Sequence, residues 1–197
     1  MTCKKILLVR HGETMWSLTG QHTGLTDLPL TENGKKQAED LSSLLKNNKI
    51  SLEKAFVSPL KRAIETFKLS KLELDFEIEK DLSEWNYGNY EGMTSQEIHQ
   101  IDPSWSIFTK GAPGGESLSD IQNRVLRLIE KINSCEGNVI LFSSGHFLRA
   151  FATLWLNQPL SFGDSLHLDT ASFSILGTLE KKPFLELWNA RAPLFTL

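Results

Sequence analysis

Two periodicities of apolar residues alternate along the chain. Short runs rich in β-branched and aromatic residues are separated by segments with helical spacing. The runs are residues 5–9, 55–57, 138–142 and 172–176. Strands that alternate with helices are typical of α/β proteins with a layered architecture. The pattern therefore predicts a three-layer α/β/α sandwich with a mainly parallel central sheet.

Capping residues predict where several helices begin. Thr31 precedes a run whose apolar residues share one helical face. Thr94 with Glu97, and Ser117 with Asp120, have the spacing of capping boxes. The clearest amphipathic segment follows the second box, with apolar residues every three or four positions: Ile121, Val125, Leu128, Ile129 and Ile132. We interpret these apolar residues as core.

The length and composition predict one folded domain over residues 1–197. The chain has 197 residues, and a domain typically has about 150. Hydrophobic residues make up 40% and charged residues 23%, as in ordinary folded proteins, and no repeat or linker divides the chain. Lys and Arg number 21 against 24 Asp and Glu, and the pI is about 6.0. This balance argues against a nucleic-acid partner.

The cysteines and the apolar runs predict a cytoplasmic location. Cys3 and Cys135 lie far apart and match neither a disulfide framework nor a CxxC metal site, which favours a reducing compartment. The apolar run at residues 6–9 is too short for the core of a signal peptide. Arg149 interrupts the best candidate for a membrane span, residues 147–156, so no membrane partner is expected.

Side chains that can bind a ligand or react with it follow three of the predicted strands. Arg10 and His11 follow the first, Arg62 lies just beyond the second, and His146 follows the strand at residues 138–142. Open α/β sheets bind ligands at the carboxyl ends of their strands. Two histidines and two arginines at one edge suit a phosphoryl group, because Arg binds phosphate oxygens bidentately. Glu84 is the candidate proton donor.

Residues 8–14, Leu-Val-Arg-His-Gly-Glu-Thr, resemble the signature of the histidine phosphatase superfamily, which includes the cofactor-dependent phosphoglycerate mutases. Gly12 within this motif predicts a sharp backbone turn. The resemblance extends from about residue 5 to about residue 150. Its further motifs are residues 24–31, Gly34, Ala38, Ser58-Pro59 with Arg62, Glu84, residues 87–88, 91–92 and 114–117, and Gly145-His146.

The resemblance implies a role for each matching residue. His11 would be the nucleophile that forms a phosphohistidine, and Arg10, Arg62 and His146 would surround the transferring phosphoryl group. Glu84 would act first as general acid and then as general base, which requires a pKa raised towards neutrality. No metal and no cofactor are implied. The sequence contains no HExxH motif, no aspartate-rich magnesium motif and no P-loop.

A second group of residues is expected to bind the substrate. Residues 20–29 and 84–92 resemble the sedoheptulose-1,7-bisphosphatase branch of the superfamily. A bisphosphate needs a second cationic contact, and Arg149 lies three residues after His146; the alternative is an ordinary ion pair with a neighbouring carboxylate. His22 lies in the expected substrate loop. The expected substrate-binding residues are Ser17, Gln21, Thr23, Gly24, Tyr87, Gly145 and Arg149.

Two departures favour a phosphatase over a mutase. Ser17 follows Trp16 where the mutases carry Asn, and the segment between Glu84 and Gly114 is short. A less covered phosphohistidine is more accessible to water. The predicted function is therefore a metal-independent phosphomonoesterase that acts on a small phosphorylated metabolite, in particular a sugar phosphate or sugar bisphosphate.

Three alternatives remain open at this point. One is a phosphoglycerate mutase, and another is a catalytically weak protein of the same fold that binds phosphorylated ligands. A serine hydrolase would use Ser143 or Ser144 with His146, although the GxSxG motif is absent. Residues 171–179 are expected to complete an edge of the sheet. Residues from Leu160 onward receive no functional role, and the oligomeric state, a homo-oligomer included, stays open.

Overall fold

The computed structural model describes residues 3–192 and places six strands in one sheet. The strand order is β3-β2-β4-β1-β5-β6. The pairs β3–β2, β2–β4 and β4–β1 are parallel, whereas β5 and β6 run antiparallel to their neighbours. The strands are β1 (Cys3–Arg10), β2 (Leu52–Val57), β3 (Phe76–Ile78), β4 (Asn138–Ser143), β5 (Phe173–Leu179) and β6 (Lys182–Ala190). The predicted, mainly parallel sheet is confirmed.

Seven α-helices connect or follow these strands within the described residues. They are α1 (Met15–Thr19), α2 (Glu32–Asn47), α3 (Lys61–Leu69), α4 (Ser95–Ile101), α5 (Ile107–Lys110), α6 (Leu118–Ser134) and α7 (Gly145–Trp155). Short 3-10 helices lie at Lys80–Leu82, Gly88–Tyr90 and Leu160–Ser165. The side chains of Thr31, Thr94 and Ser117 cap α2, α4 and α6 as predicted. No helix within residues 3–192 is long and apolar enough to span a membrane.

The sheet carries a hydrophobic core on each face, because successive side chains of a strand point to opposite sides. Ile6 and Leu8 of β1 belong to the core that α6 and α7 cover. Leu7 and Val9 belong to the core that α2 and α3 cover. All four side chains are at most 1% exposed. The two covered faces give the predicted three-layer sandwich.

The C-terminal part of the sheet differs from the prediction. Residues 171–179 were expected to complete an edge, which is wrong: β5 lies inside the sheet between β1 and β6. Phe173, Ile175 and Leu176 are accordingly buried. The edge strand is β6, whose side chains are exposed or half-buried and therefore lack the apolar run that marks the inner strands.

Two close approaches of the backbone position the residues that follow β1. Arg10 lies opposite Ser143 in the parallel β1–β4 pair, and the His11 N–H donates to the Ser143 carbonyl at 3.0 Å. A Cβ on Gly12 would lie 2.4 Å from the carbonyl oxygen of Gly34. Gly12 has no positive φ. Glycine is thus required there by packing against α2, and not by the sharp turn that the sequence suggested.

Candidate active site

A cleft opens at the carboxyl ends of β1 and β4. Its lining consists of Arg10, His11, Ser17, Gln21, His22, Thr23, Glu84, Tyr87, Gly145, His146, Arg149 and Leu168. Every candidate residue from the sequence lies in this lining except Arg62 and Gly24. His22 and Leu168 are additional. The strand ends therefore bring the predicted catalytic and substrate-binding residues into one site.

The imidazole of His11 is held in one orientation and kept neutral. Its Nδ1 atom lies 2.7 Å from the carbonyl oxygen of Gly12. Because a carbonyl can only accept, Nδ1 carries the proton and Nε2 retains its lone pair. Burial lowers the pKa of His11 well below its ordinary value, and the charges of Arg62 and Arg10 lower it further. The ring is therefore neutral near pH 7, with an available lone pair on Nε2.

Arg10 lines the cleft and contains one buried donor without a partner among the described residues. One terminal nitrogen, Nη1, donates to the carbonyl oxygen of Leu168. The buried Nε atom has no hydrogen-bond partner among the described residues. A Cβ on Gly145 would lie 3.3 Å from the guanidinium carbon, so the glycine leaves room for this side chain. An unpaired buried donor costs free energy unless a ligand satisfies it, which indicates an anion at this position.

Arg62 lies behind the lining, where it anchors a loop. Its side chain is fully buried, and its terminal nitrogens donate to the carbonyl oxygens of Thr23, Gly24 and Thr26 at 2.9 to 3.1 Å. Its Nε donates to the Ser144 hydroxyl at 3.3 Å. These bonds use four of the five N–H groups of the guanidinium. Arg62 thus lies outside the cleft lining, shapes the 23–26 loop, and lowers the pKa of His11 through its charge.

Glu91 holds the same loop from the other side. Its carboxylate accepts the N–H of Gly24 at 2.9 and 3.1 Å and that of Thr26 at 3.1 Å. A Cβ on Gly24 would lie 2.6 Å from the Glu91 Oε2 atom, so only glycine fits there. Gly24 contributes to the site through this packing and not as a lining residue. The loop is thus fixed by an arginine at its carbonyls and a glutamate at its amides.

Glu84 occupies the N-terminus of α7. Its Oε1 atom accepts the N–H groups of Trp85 at 2.8 Å and Phe147 at 2.7 Å, and its Oε2 accepts that of His146 at 3.0 Å. Ser144 is the N-cap by position but makes no capping hydrogen bond. Glu84 therefore takes over the capping function. The backbone amides at the start of α7 thus fix the position of this carboxyl group in the cleft.

His146 lies on a side wall of the cleft with Tyr87. The Tyr87 hydroxyl is hydrogen-bonded to the Nδ1 atom of His146. Burial raises the pKa of Tyr87 well above its ordinary value, so the hydroxyl keeps its proton and donates it. Burial also lowers the pKa of His146 well below its ordinary value, aided by the charge of Arg149. The neutral His146 ring therefore carries its proton on Nε2, where it can serve as a donor to a ligand.

The helix start after β4 separates Ser144 from His146. The helix begins at Gly145, directly after the N-cap position Ser144. Ser144 consequently faces Arg62, whereas the His146 ring packs against Phe108, with 5.5 Å between ring centroids.

The family model of the histidine phosphatase superfamily, branch 1, matches residues 6–191. The chain belongs to this superfamily. The match includes β5 and β6, although the recognisable motifs thin out after about residue 150. The C-terminal strands are thus part of the family fold.

Relatives of this histidine phosphatase include two curated enzymes. An acid phosphatase of Mycobacterium tuberculosis is 39% identical over 177 residues, which cover 88% of this chain and 86% of that protein. A sedoheptulose 1,7-bisphosphatase of Saccharomyces cerevisiae is 36% identical over 181 residues, covering 77% and 67%. A solved structure of an open reading frame of M. tuberculosis has a TM-score of 0.90 and 34% identity, covering 96% of this chain and 98% of that one. The chain is a histidine-type phosphatase, a hydrolase of phosphoric monoesters.

His22 is the side chain of this histidine phosphatase that the sequence placed near the site without a role. Its ring stacks on Tyr87 at 4.8 Å between centroids, and its Nε2 lies 3.1 Å from the Ser95 hydroxyl. Burial lowers its pKa to about 4, with a contribution from His99. The ring is thus an uncharged aromatic wall at neutral pH. Its position between Gln21 and Thr23 was the signal in the sequence.

Arg149 lines the cleft, and a backbone carbonyl and an aromatic ring hold its side chain. Its Nε donates to the Gly163 carbonyl at 2.9 Å, and its guanidinium carbon lies 4.6 Å from the centre of the Phe108 ring. Across residues 3–192, no carboxylate lies within ion-pair distance of it. The alternative of an ordinary ion pair is therefore not realised.

Ser17 and Gln21 line the cleft with side chains that already have protein partners. The Ser17 hydroxyl accepts the Thr14 N–H at 2.8 Å in a capping box, and the Gln21 amide nitrogen donates to the Gly92 carbonyl at 2.8 Å. Both residues thus fix α1 and the loop after it. This histidine phosphatase builds one cleft wall from side chains that also hold its backbone.

The serine-hydrolase alternative finds no support in the geometry. The Ser143 hydroxyl donates to the Leu82 carbonyl, and the Ser144 hydroxyl accepts from Arg62. Neither hydroxyl is bonded to an imidazole, which a serine nucleophile needs as its base. Among residues 3–192, no three His, Cys, Asp or Glu side chains are grouped closely enough to hold a metal ion.

Proposed function

We propose that this histidine phosphatase is a metal-independent phosphomonoesterase that works through a phosphohistidine on His11. The observation that carries the proposal is the hydrogen bond from His11 Nδ1 to the Gly12 carbonyl. It leaves Nε2 as the nucleophilic nitrogen near two cations, the half-buried Arg10 and the buried Arg62. A neutral imidazole beside cationic groups suits attack on the phosphorus of a phosphate ester.

In the first step, the His11 Nε2 lone pair forms a bond to phosphorus while the ester P–O bond breaks. The leaving oxygen takes a proton from Glu84, whose carboxyl group lies in the same cleft. Glu84 is thus the proposed general acid of this step.

In the second step, a water molecule attacks the phosphorus and the P–N bond breaks. The Glu84 carboxylate accepts a proton from that water, so phosphate leaves and both His11 and Glu84 return to their starting states. Arg10 and the Nε2–H of His146, both in the cleft lining, are the donors that we assign to the phosphoryl oxygens. Donors placed where charge develops stabilise the transition state.

The proposed substrate is a small phosphorylated metabolite, in particular a sugar bisphosphate. Arg149 supports the bisphosphate because it is a second cation in the cleft without a carboxylate partner within residues 3–192. The 36% identity with the yeast enzyme named sedoheptulose 1,7-bisphosphatase supports the same class. Arg forks bind phosphate oxygens in pairs, so Arg149 would hold the phosphate that does not react.

The test is release of inorganic phosphate, with a metal chelator present, from sedoheptulose 1,7-bisphosphate, fructose 1,6-bisphosphate, 3-phosphoglycerate and an aryl phosphate. We expect activity in chelator and a preference for a sugar bisphosphate. We also expect His11→Ala to lose at least about a thousandfold in rate, because it removes the nucleophile. An unchanged rate of phosphate release in His11→Ala would overturn the mechanism.

A second assay separates the remaining outcomes. If no substrate releases phosphate, transfer from 2,3-bisphosphoglycerate to a phosphoglycerate distinguishes a mutase from a protein that only binds phosphorylated ligands. Mass spectrometry of the protein after alkaline quench detects the phosphohistidine itself. A phosphorylated peptide that contains His11 is the expected product.

A further inference from the structure

The loop between the 3-10 helix Leu160–Ser165 and β5 lies against the backbone of Arg10 and His11. The Ala171 N–H donates to the His11 carbonyl at 3.0 Å. The Arg10 N–H donates to the Ser172 carbonyl at 3.0 Å, and the Arg10 guanidinium donates to Leu168. These two cleft residues are thus held by main-chain atoms from a segment that lies about 160 positions later in the chain.

Ala171 adopts a conformation that alanine avoids. Its φ is 50°, and the residue is buried, with 5% exposure. The left-handed region costs an alanine about 1 to 2 kcal/mol, because its Cβ approaches the following carbonyl. Such a conformation persists only where surrounding contacts determine it, and here it directs the N–H towards His11. The strained residue is thus hydrogen-bonded to the backbone of His11, the candidate nucleophile.

A pair of side chains fixes the loop in this shape. The Asp169 N–H donates to the Asn189 Oδ1 at 2.8 Å, and the Asn189 Nδ2 donates to the Asp169 Oδ2 at 2.9 Å. The Ser172 hydroxyl donates to the Asp169 carbonyl at 2.7 Å, which closes the turn around Ala171. Asn189 belongs to β6 and has a φ of 58°, which asparagine tolerates better than most residues. The loop is therefore fastened to the edge strand by two reciprocal bonds.

We propose that Asp169 and Asn189 are positioning residues for His11 and Arg10. They act through the Ala171 amide and the Leu168 carbonyl, and they lie outside the cleft lining themselves. The inference rests on the proposed function of His11 as nucleophile. It gives the C-terminal region, for which the sequence indicated no role, a function in the chemistry: the pair sets where the imidazole stands relative to the bound phosphate.

The pair can be reversed, which provides the test. Asn189→Asp places two carboxylates opposite each other and should open the loop. Asp169→Asn keeps an amide oxygen that accepts from Asn189 but loses the charge that faces Arg191 at 3.3 Å, so Asp169→Asn measures that loss separately. The double variant restores one amide and one carboxylate in exchanged positions, and we expect it to recover the wild-type behaviour. Glu186→Gln is the matched control, since Glu186 lies on the same strand and pairs with Lys5 instead.

Two readouts distinguish positioning from a general loss of stability. For an aryl phosphate, Asn189→Asp should lower kcat roughly tenfold with KM within about twofold, because a small displacement affects the reacting geometry more than binding. The ¹⁵N resonances of the His11 imidazole should move in the same variant and return in the double variant. Thermal melting confirms that each protein is folded, and Asn189→Ala replaces Asn189→Asp if the charged variant does not fold.

The results separate this inference from the proposed function. If the His11 resonances and kcat are unchanged in a folded Asn189 variant, or if the double variant fails to recover them, Asp169 and Asn189 do not position His11. If the resonances move and recover but no phosphate ester is hydrolysed, the positioning stands and the proposed function fails.

Discussion

The Nδ1 atom of His11 and the carbonyl oxygen of Gly12 are 2.7 Å apart, which fixes the tautomer of the proposed nucleophile. Burial and two arginines hold the pKa of His11 well below its ordinary value. We therefore expect the ¹⁵N resonances of His11 to stay unchanged when the protein is titrated from about pH 7 to pH 6, where a free imidazole takes up its proton. The urea-unfolded protein provides the reference titration. A midpoint near 6.5 in the folded protein would contradict this prediction.

Acid should destabilise the protein through its buried histidines. The pKa values of His11, His22 and His146 are all lower in the folded chain than in an unfolded one. Below about pH 6.5 the unfolded state binds protons that the folded state does not, so the free energy of unfolding falls as pH falls, by up to about 1.4 kcal/mol per pH unit for each histidine. Above that pH the three groups contribute no pH dependence. Urea unfolding at pH 7, 6 and 5 measures the slope.

His22→Gln provides the control for the acid effect, because glutamine keeps a polar side chain but does not titrate. Since the pKa of His22 is about 4, its share of the slope extends from about pH 6.5 down to about that value. We expect the variant to lose up to about 1.4 kcal/mol per pH unit of the dependence. Parallel curves for the variant and the wild type would show that His22 takes up its proton equally in both states.

Removal of the Glu91 carboxylate should loosen the substrate loop. Glu91→Ala leaves the N–H groups of Gly24 and Thr26 without their acceptor, which costs about 1 to 3 kcal/mol when such groups remain buried. KM should rise because the adjacent Thr23 lines the cleft. Glu91→Gln should fall between wild type and Glu91→Ala, and the exposed Glu73→Ala should change nothing. Equal KM values in all four proteins would exclude a role for Glu91 in holding this loop.

Arg149→Ala should affect a bisphosphate more than a monophosphate. Loss of a charged hydrogen bond to the second phosphate costs about 1.5 to 3 kcal/mol, or roughly ten- to a hundredfold in kcat/KM. An aryl phosphate, which lacks that group, should lose much less. Arg127→Ala is the control, because this arginine pairs with Asp81 on the surface. If Arg149→Ala lowers kcat/KM equally on both substrates, the role for the second phosphate fails.

Ala171→Gly should stabilise the protein. Glycine adopts a φ of 50° without the steric cost that alanine has there, so we expect a gain of about 1 kcal/mol in the free energy of unfolding. The backbone N–H that contacts His11 remains, and kcat should not change. Ala150 lies inside α7, so Ala150→Gly should destabilise the protein instead, by about 1 kcal/mol or more. Equal signs for the two variants would show that Ala171 is not strained.

Local signals in the sequence predicted the parts of the fold that local contacts create. Thr31 and Ser117 cap their helices through residues only three positions away, so the pattern contains the whole interaction. The placement of His11 and His146 followed from a rule of topology, that parallel strands bring their carboxyl ends to one edge. Neither prediction needed information from elsewhere in the chain.

The remaining features depend on contacts between distant segments and on main-chain atoms. Nothing in the sequence marks the Leu168 carbonyl as a partner of Arg10, because every residue has a carbonyl. Ala171 adopts the left-handed conformation, which alanine disfavours, so its residue type predicts a different backbone conformation from the observed one. Arg62 was identified as a functional residue from its motif, yet its four hydrogen bonds to the 23–26 loop and Ser144 appear only in the folded chain.

The central position of β1 has a consequence for how the chain folds during its synthesis. β1 is made first, but its two neighbours in the sheet are β4 and β5, which begin at Asn138 and Phe173. Until those residues leave the ribosome, both edges of an apolar strand lack partners and invite aggregation. The edge that holds the candidate site therefore forms only after β5 has been synthesised. A chain that stalls before residue 168 would lack the loop that holds His11, so phosphatase activity would report synthesis as far as β5.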